Sequence, residues 1–324
     1  MAIRLLRRSE IADSQWNRFV SQSPQRIVYA YTWYLDVVSP NWAALVAEEA
    51  GNWTAVMPLP LRRKFGFEVI QQPLFCQLLG VFGSESVDFL TQLPFFYRYA
   101  SLYTGRFSAA VSLPKCYQTA RCQTHLLRLN RPYEAICAGY SRDRHANLKI
   151  AQKAGWQQEE SEDLRPIIDL FRQNHSSQIE GGVSGNAYLL LADLVTALRK
   201  KNAVHLHYAL KDGQIEAGAL FVIYDQRIIY LFNAASELGR KKNARTWLID
   251  NILHEYANQD FVFDFESPER PSIAAFYESF GAAPESYLQF RYNQLPFPLK
   301  QWQEWRKFKV QSLKFKVLSL KCRV

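Results

Sequence analysis

Apolar and polar positions alternate in short runs through both halves of the chain, and the pattern is clearest in the second half. Segments 203–211, 215–224 and 227–234 are apolar-rich and separated by Lys211-Asp212-Gly213 and Asp225-Gln226. Runs of period two joined by such turns predict a three-strand antiparallel meander. A strand at 156–160 and helices at 164–175 and 187–201 are predicted before it. A helix at 244–258, a strand at 261–265, a short helix at 272–280 and a strand at 286–292 are predicted after it. The first half reads as helices at 13–20 and 32–38, the second stopped by Ser39-Pro40. Strands at 42–48, 53–61 and 67–71 follow, with Ala50-Gly51-Asn52 as a hairpin turn and Pro58 and Pro60 pushing the second strand toward an edge. A helix at 87–99 and strands at 101–107 and 120–129 complete that half. Asn130-Arg131-Pro132 breaks the chain. A helix over 133–154 then joins the halves, interrupted at Gly139 and re-capped by Ser141.

The first half repeats the order of elements in the second without a residue-level repeat, so duplication is an architectural expectation. A length of 324 residues fits two domains, and 48% hydrophobic with 21% charged residues is an ordinary globular composition. We expect a mixed α/β protein of two tandem domains, each a mostly antiparallel twisted sheet flanked by helices. The expected boundaries are 1–130, a linking helix at 131–155, a second domain at 156–295 and a basic tail at 296–324. The net charge is +9, and the last 26 residues supply +7 of it, with eight Lys or Arg against one Glu. A broad nucleic-acid surface on the body is thereby disfavoured. The start of the chain lacks a signal-peptide pattern, no run of about 18 apolar residues occurs, and the five cysteines form no C-x-x-C pair. These features predict a cytoplasmic protein with reduced thiols.

Three segments carry candidate chemistry. Between a strand and a helix lie Asn233, Ala234 and Ala235, then Leu238, Gly239, Arg240, Lys241, Lys242, Asn243 and Ala244. A glycine, three cations and a helix start suit a pyrophosphate, whose charge is met by backbone N–H groups and the helix dipole; a solvated basic turn is the alternative. In Phe261-Val262-Phe263-Asp264-Phe265-Glu266-Ser267, Asp264 and Glu266 share one strand face. Paired carboxylates there can orient or deprotonate an amine, against a purely structural, helix-capping role. Glu180 lies in a glycine-bearing loop and is a third acid. His205 and His207 share a strand face, but no further metal ligand is apparent by spacing, so no metal is expected. Gly182-Val183-Ser184-Gly185-Asn186 is not a nucleophile elbow.

Ala275-Phe276-Tyr277-Glu278-Ser279-Phe280-Gly281-Ala282 resembles the last helix of the GNAT acyltransferases. With Phe263-Asp264-Phe265 it also resembles the FemAB-like branch, and 141–155 is similar to that branch's S-x-x-x-R-x-x-I-x-K-A-x-K-x-G helix. The resemblance covers about 120–292, and the first half only by architecture. It implies tandem GNAT-like domains. It further implies acyl-CoA or acetyl-CoA as co-substrate, bound between two splayed strands with its pyrophosphate at the following helix. The acyl group would pass directly to a primary amine, with Tyr277 protonating the departing thiolate. In the FemAB branch the donor is instead aminoacyl-tRNA and the acceptor a cell-wall precursor. The usual Q/R-x-x-G-x-G/A loop is altered here, because Lys241 stands where a second glycine would.

The tail has Trp302, Trp305 and Phe308 three apart with cations between, the pattern of a basic amphipathic helix. Packing on its own domain, binding an anionic membrane surface and contacting RNA phosphates are the competing expectations. The leading expectation for the whole chain is N-acyl transfer from acyl-CoA. A FemAB-like transferase that uses tRNA comes second, and a non-catalytic binding protein with the same fold third.

Overall fold

The computed structural model describes residues 2–64, 66–84, 88–104, 115–174, 183–266 and 271–301. The described residues form two units. The first holds those up to Cys122 and those from Ser286 onward, and the second is Gln123–Glu285.

In the first unit, β1 (Ala2–Arg7), β2 (Ala43–Glu49), β3 (Asn52–Leu59) and the short β6 (Phe82–Gly83) form an antiparallel sheet in the order β1-β2-β3-β6. Helices α1 (Asp13–Gln22) and α2 (Thr32–Val38) precede β2. Pro60 ends β3, and the chain restarts as β4 (Leu61–Lys64), which pairs with β5 (Phe67–Gln71). The predicted single strand 53–61 is therefore two. β3 has partners on both sides at Ala55 and Val56, and Pro58 lies beyond the two-residue β6 contact. Helix α3 (Phe89–Phe96) and β7 (Tyr99–Thr104) follow, and β7 pairs with β5. β1 was not expected, because its Leu-rich stretch is interrupted by arginines.

The second unit opens with β8 (Gln118–Arg128), whose residues from Gln123 belong to it. The chain then runs through α4 (Tyr133–Ala138), α5 (Arg142–Lys153), β9 (Gln157–Glu160), α6 (Arg165–Asn174) and α7 (Gly185–Arg199). β10 (Val204–Lys211), β11 (Gln214–Tyr224) and β12 (Arg227–Ala235) are the meander. After it come α8 (Glu237–Lys241), α9 (Ala244–Glu255), β13 (Val262–Asp264) and α10 (Pro271–Glu278). β14 (Ala283–Asn293) returns to the first unit, where it pairs with β7. Strand order in the second unit is β8-β13-β12-β11-β10-β9.

The segment expected to link two domains is instead core of the second unit. Its break falls at Gly139, and Ser141 caps α5 by accepting from the Arg144 N–H at 3.1 Å. Ile136, Tyr140, Leu148 and Ala151 are buried in one cluster with α9 and α10. An apolar stripe on an amphipathic helix must be covered, and here α9 and the sheet cover it. The last strand was assigned to the second domain, but its residues from Ser286 pair within the first unit. No described helix is long and apolar enough to cross a membrane.

Candidate functional site

β12 and β13 are parallel and pair over only three positions, Arg227↔Val262, Ile228↔Phe263 and Ile229↔Asp264. Beyond that point β13 stays with β8, since the Phe265 N–H donates to the His125 carbonyl at 3.1 Å. β12 meanwhile continues to Ala235 along β11. Leu220 pairs with Phe232 and Phe221 with Tyr230, so Leu231 is an extra residue in a β-bulge. A bulge twists and bends its strand, and this one sits where the two strands part. Tyr230–Ala235 thus have β11 on one edge and no described strand on the other.

Asn233 lies on this open stretch, 1% exposed, and its Oδ1 accepts from Arg245 Nη1 at 3.3 Å. Its amide nitrogen is buried with no hydrogen-bond partner among the described residues. Arg245 is the second residue of α9 and is itself buried. A buried guanidinium and a buried amide at a helix N-terminus are groups that suit an oxygen-rich partner. Asn233 was singled out by sequence. Arg245 was not, because nothing in its spacing distinguishes it from a surface arginine.

The loop expected to hold a pyrophosphate is built differently. Residues Glu237–Lys241 make a short helix, α8, capped by Ser236. The Gly239 N–H donates to Ser236 Oγ at 2.9 Å, and the N–H groups of Arg240 and Lys242 donate to the Ser236 and Leu238 carbonyls. Ser236 Oγ in turn donates to Glu216. These three amides are hydrogen-bonded within the turn of helix. Gly239 is needed for packing, because a Cβ there would stand 2.2 Å from the Glu216 carbonyl oxygen. Arg240 reaches back to the Ala235 carbonyl at 3.1 Å. Leu238, Lys241 and Lys242 are exposed, and Ala234, Ala235 and Ala244 are buried. Asn243 has a left-handed backbone, φ 56°, and turns the chain into α9.

The two carboxylates of β13 have separate environments. Asp264 is fully buried and accepts from Arg227 Nη1 at 2.7 Å, Thr124 Oγ1 at 3.1 Å and the Glu266 N–H at 2.9 Å. Three of its roughly four lone-pair sites are thus engaged within the fold. Glu266 is 1% exposed and has φ 49°. A non-glycine residue held there is strained, and such strain gathers at functional positions. Continuing the strand register places Glu266 level with Leu231, where β12 has already diverged.

Tyr277 is also placed differently from expectation. It is 0% exposed, with its ring 4.6 Å from Phe265 and 6.5 Å from Tyr230. Its neighbours show why the motif has its form. Phe276 and Phe280, near-perpendicular to each other, both lie against the buried Arg144 guanidinium at 4.2 and 4.3 Å. Arg144 Nε donates to Ser279 Oγ at 3.0 Å and Nη1 to Thr246 Oγ1 at 2.5 Å. Gly281 has φ 77° and faces Gly139, where a Cβ would approach the carbonyl oxygen to 2.9 Å. Glu180 lies outside the described residues, as does all of the basic tail beyond Gln301.

Residues 142–269 match the family described as "Acetyltransferase (GNAT) domain". No curated protein sequence matches the chain. Among solved structures, FemX superposes with a TM-score of 0.63 at 13% identity, over 94% of this chain and all of that one. L-PGS from Bacillus licheniformis gives 0.52 at 13% identity, over 97% and 98%. A tandem GNAT protein from the clavulanic acid biosynthesis pathway gives 0.51 at 11% identity, over 90% and 98%. Residues 142–269 thus match the GNAT domain family, and the chain as a whole shares the fold of FemX, L-PGS and the tandem GNAT protein.

Proposed function

We propose that the protein is an aminoacyl transferase that passes the aminoacyl group of a charged tRNA to a primary amine in the cleft between β12 and β13. The observation that carries this reading is the commitment of the Gly239, Arg240 and Lys242 amides within α8, which takes these three donors away from a coenzyme A pyrophosphate. The resemblance to the FemAB branch supplies the donor class. In this reading the open edge of β12 aligns the donor, and Asn233 with Arg245 contacts its ribose or ester oxygens. Glu266 accepts a proton from the attacking amine. The amine nitrogen then bonds to the ester carbonyl carbon, and the tRNA ribose oxygen departs with a proton. Tyr277 supports the wall of the cleft from the core.

A second reading is transfer from acyl-CoA. The α9 N-terminus beside the exposed Lys241 and Lys242 favours it, since these groups can still meet phosphate charge. The test is single-turnover transfer from tRNA bearing a radiolabelled amino acid to a panel of amines. Removing a positioned base costs about 10²–10⁴-fold. Glu266→Gln is expected to fall by that factor, and Tyr277→Phe to stay within about threefold because its role is packing. No transfer from charged tRNA combined with transfer from acetyl-CoA would refute the donor assignment.

A further inference from the structure

We propose that Glu160, His205 and His207 bind one divalent transition-metal ion, of zinc-like preference, at the edge of the second unit's sheet. Among the described residues, these three are the one group of His, Cys, Asp or Glu side chains whose ligand atoms lie within 4.8 Å of one another. The sequence shows only the two histidines on one face of β10. Glu160 comes from the neighbouring strand, where it pairs directly with His207. His205 Nδ1 is 3.3 Å from a Glu160 carboxylate oxygen. An ordinary histidine–carboxylate pair accounts for those two groups and leaves the third unexplained. His207 is 5% exposed, and its Nε2 is buried with no hydrogen-bond partner among the described residues. An imidazole nitrogen buried beside a histidine and a carboxylate is the arrangement a metal satisfies.

The surroundings fit ligation. His207 Nδ1 is 2.6 Å from the Gln158 side-chain nitrogen, and the Gln158 side-chain oxygen is 2.6 Å from the Asn251 amide nitrogen. Both amides can turn over together. Gln158 would then accept from the Nδ1–H, which leaves Nε2 with a free lone pair, as a metal-bound histidine requires. Ligand atoms around zinc lie about 2 Å from the ion, hence no more than about 4 Å apart. Closing the 4.8 Å spread takes a small turn of side chains, and Glu160 is exposed and able to make it. The open side leaves room for water as a fourth ligand.

β9 is a four-residue edge strand with every residue exposed, held by its ladder to β10. An ion shared by Glu160 and the two histidines would fasten that edge. The row His207↔Ala219↔Asn233 separates this position from the cleft by two strand spacings, about 10 Å. The proposal therefore stands independently of the transfer reaction.

The experiment uses the full chain without a polyhistidine tag. Zn²⁺ binding is measured by calorimetry, and Co²⁺ binding by its visible ligand-field bands. We expect one equivalent per chain, binding tighter than about 10 µM. Glu160→Gln with His205→Ala should weaken binding by about tenfold or more, with the fold checked by circular dichroism. Absence of saturable binding to the wild type, or a smaller loss in the double variant, overturns the proposal.

Discussion

Helix α10 and the loop 236–243 lie in the same unit and were both expected to carry chemistry, yet they are built to opposite ends. α10 and the turn after it bear the residues by which the family resemblance is seen, and nearly all of them pack. Phe276 and Phe280 hold Arg144, Gly281 meets Gly139, and Tyr277 is enclosed by aromatic rings. The loop departs from the family pattern, and its departure has a local cause: Ser236 caps a turn of helix and takes the amide that an anion would have used. A motif can therefore mark a fold through packing, and on the proposed reading the donor is chosen by the residues that depart from the motif.

The largest effect that probes this contrast should come from Arg144→Ala. It removes a buried guanidinium from against two rings, leaves the Ser279 and Thr246 hydroxyls without it, and should cost about 3 kcal/mol or more by urea unfolding. Arg144→Lys should restore little of it, since an ammonium neither stacks as a plane nor reaches both hydroxyls. A cost below about 1 kcal/mol would mean that the motif is not primarily structural. Ser236→Ala should cost about 1 kcal/mol, the usual loss of an N-cap, and should fray α8. Hydrogen exchange at Gly239 would report it.

A finer prediction concerns Asp250, buried on α9, where it accepts from the Tyr140 hydroxyl at 2.8 Å and the Tyr133 hydroxyl at 3.0 Å. Burial raises its carboxyl above the usual 3.8, opposed by those hydrogen bonds. The folded state therefore holds the proton more tightly than the unfolded chain does. Its contribution is fully present below the unfolded value and is lost as pH rises through the folded one. Asp250→Asn lacks that loss, so its stability relative to wild type should improve as pH rises from about 4 to 7. A flat difference across that range would contradict the shift.

Much of the second unit was legible in sequence. Its meander, the two helices before it and the cap at Ser141 follow from periodicity, turn residues and a single serine. What could not be read depended on contacts between distant segments. Asp264 and Glu266 share a strand face by parity, but that Arg227 and Thr124 from other strands hold Asp264 could not be read from spacing. Glu160 joins His205 and His207 through strand pairing, which spacing along one strand cannot show. α8 was missed because five residues are too few for a period, although Ser236 three residues before Gly239 was its signal. The second unit's share of the linking segment was missed because helical periodicity shows that a face is apolar and not what covers it.

The most direct test of the account is calorimetric titration of the wild-type protein with acetyl-CoA, run beside a titration with aminoacyl-tRNA. The account expects saturable binding of the charged tRNA and no saturable heat from acetyl-CoA up to about 1 mM, a limit of about −4 kcal/mol. Micromolar binding of acetyl-CoA, abolished by Lys241→Glu with Lys242→Glu, would contradict it and return the loop to the role its sequence suggested.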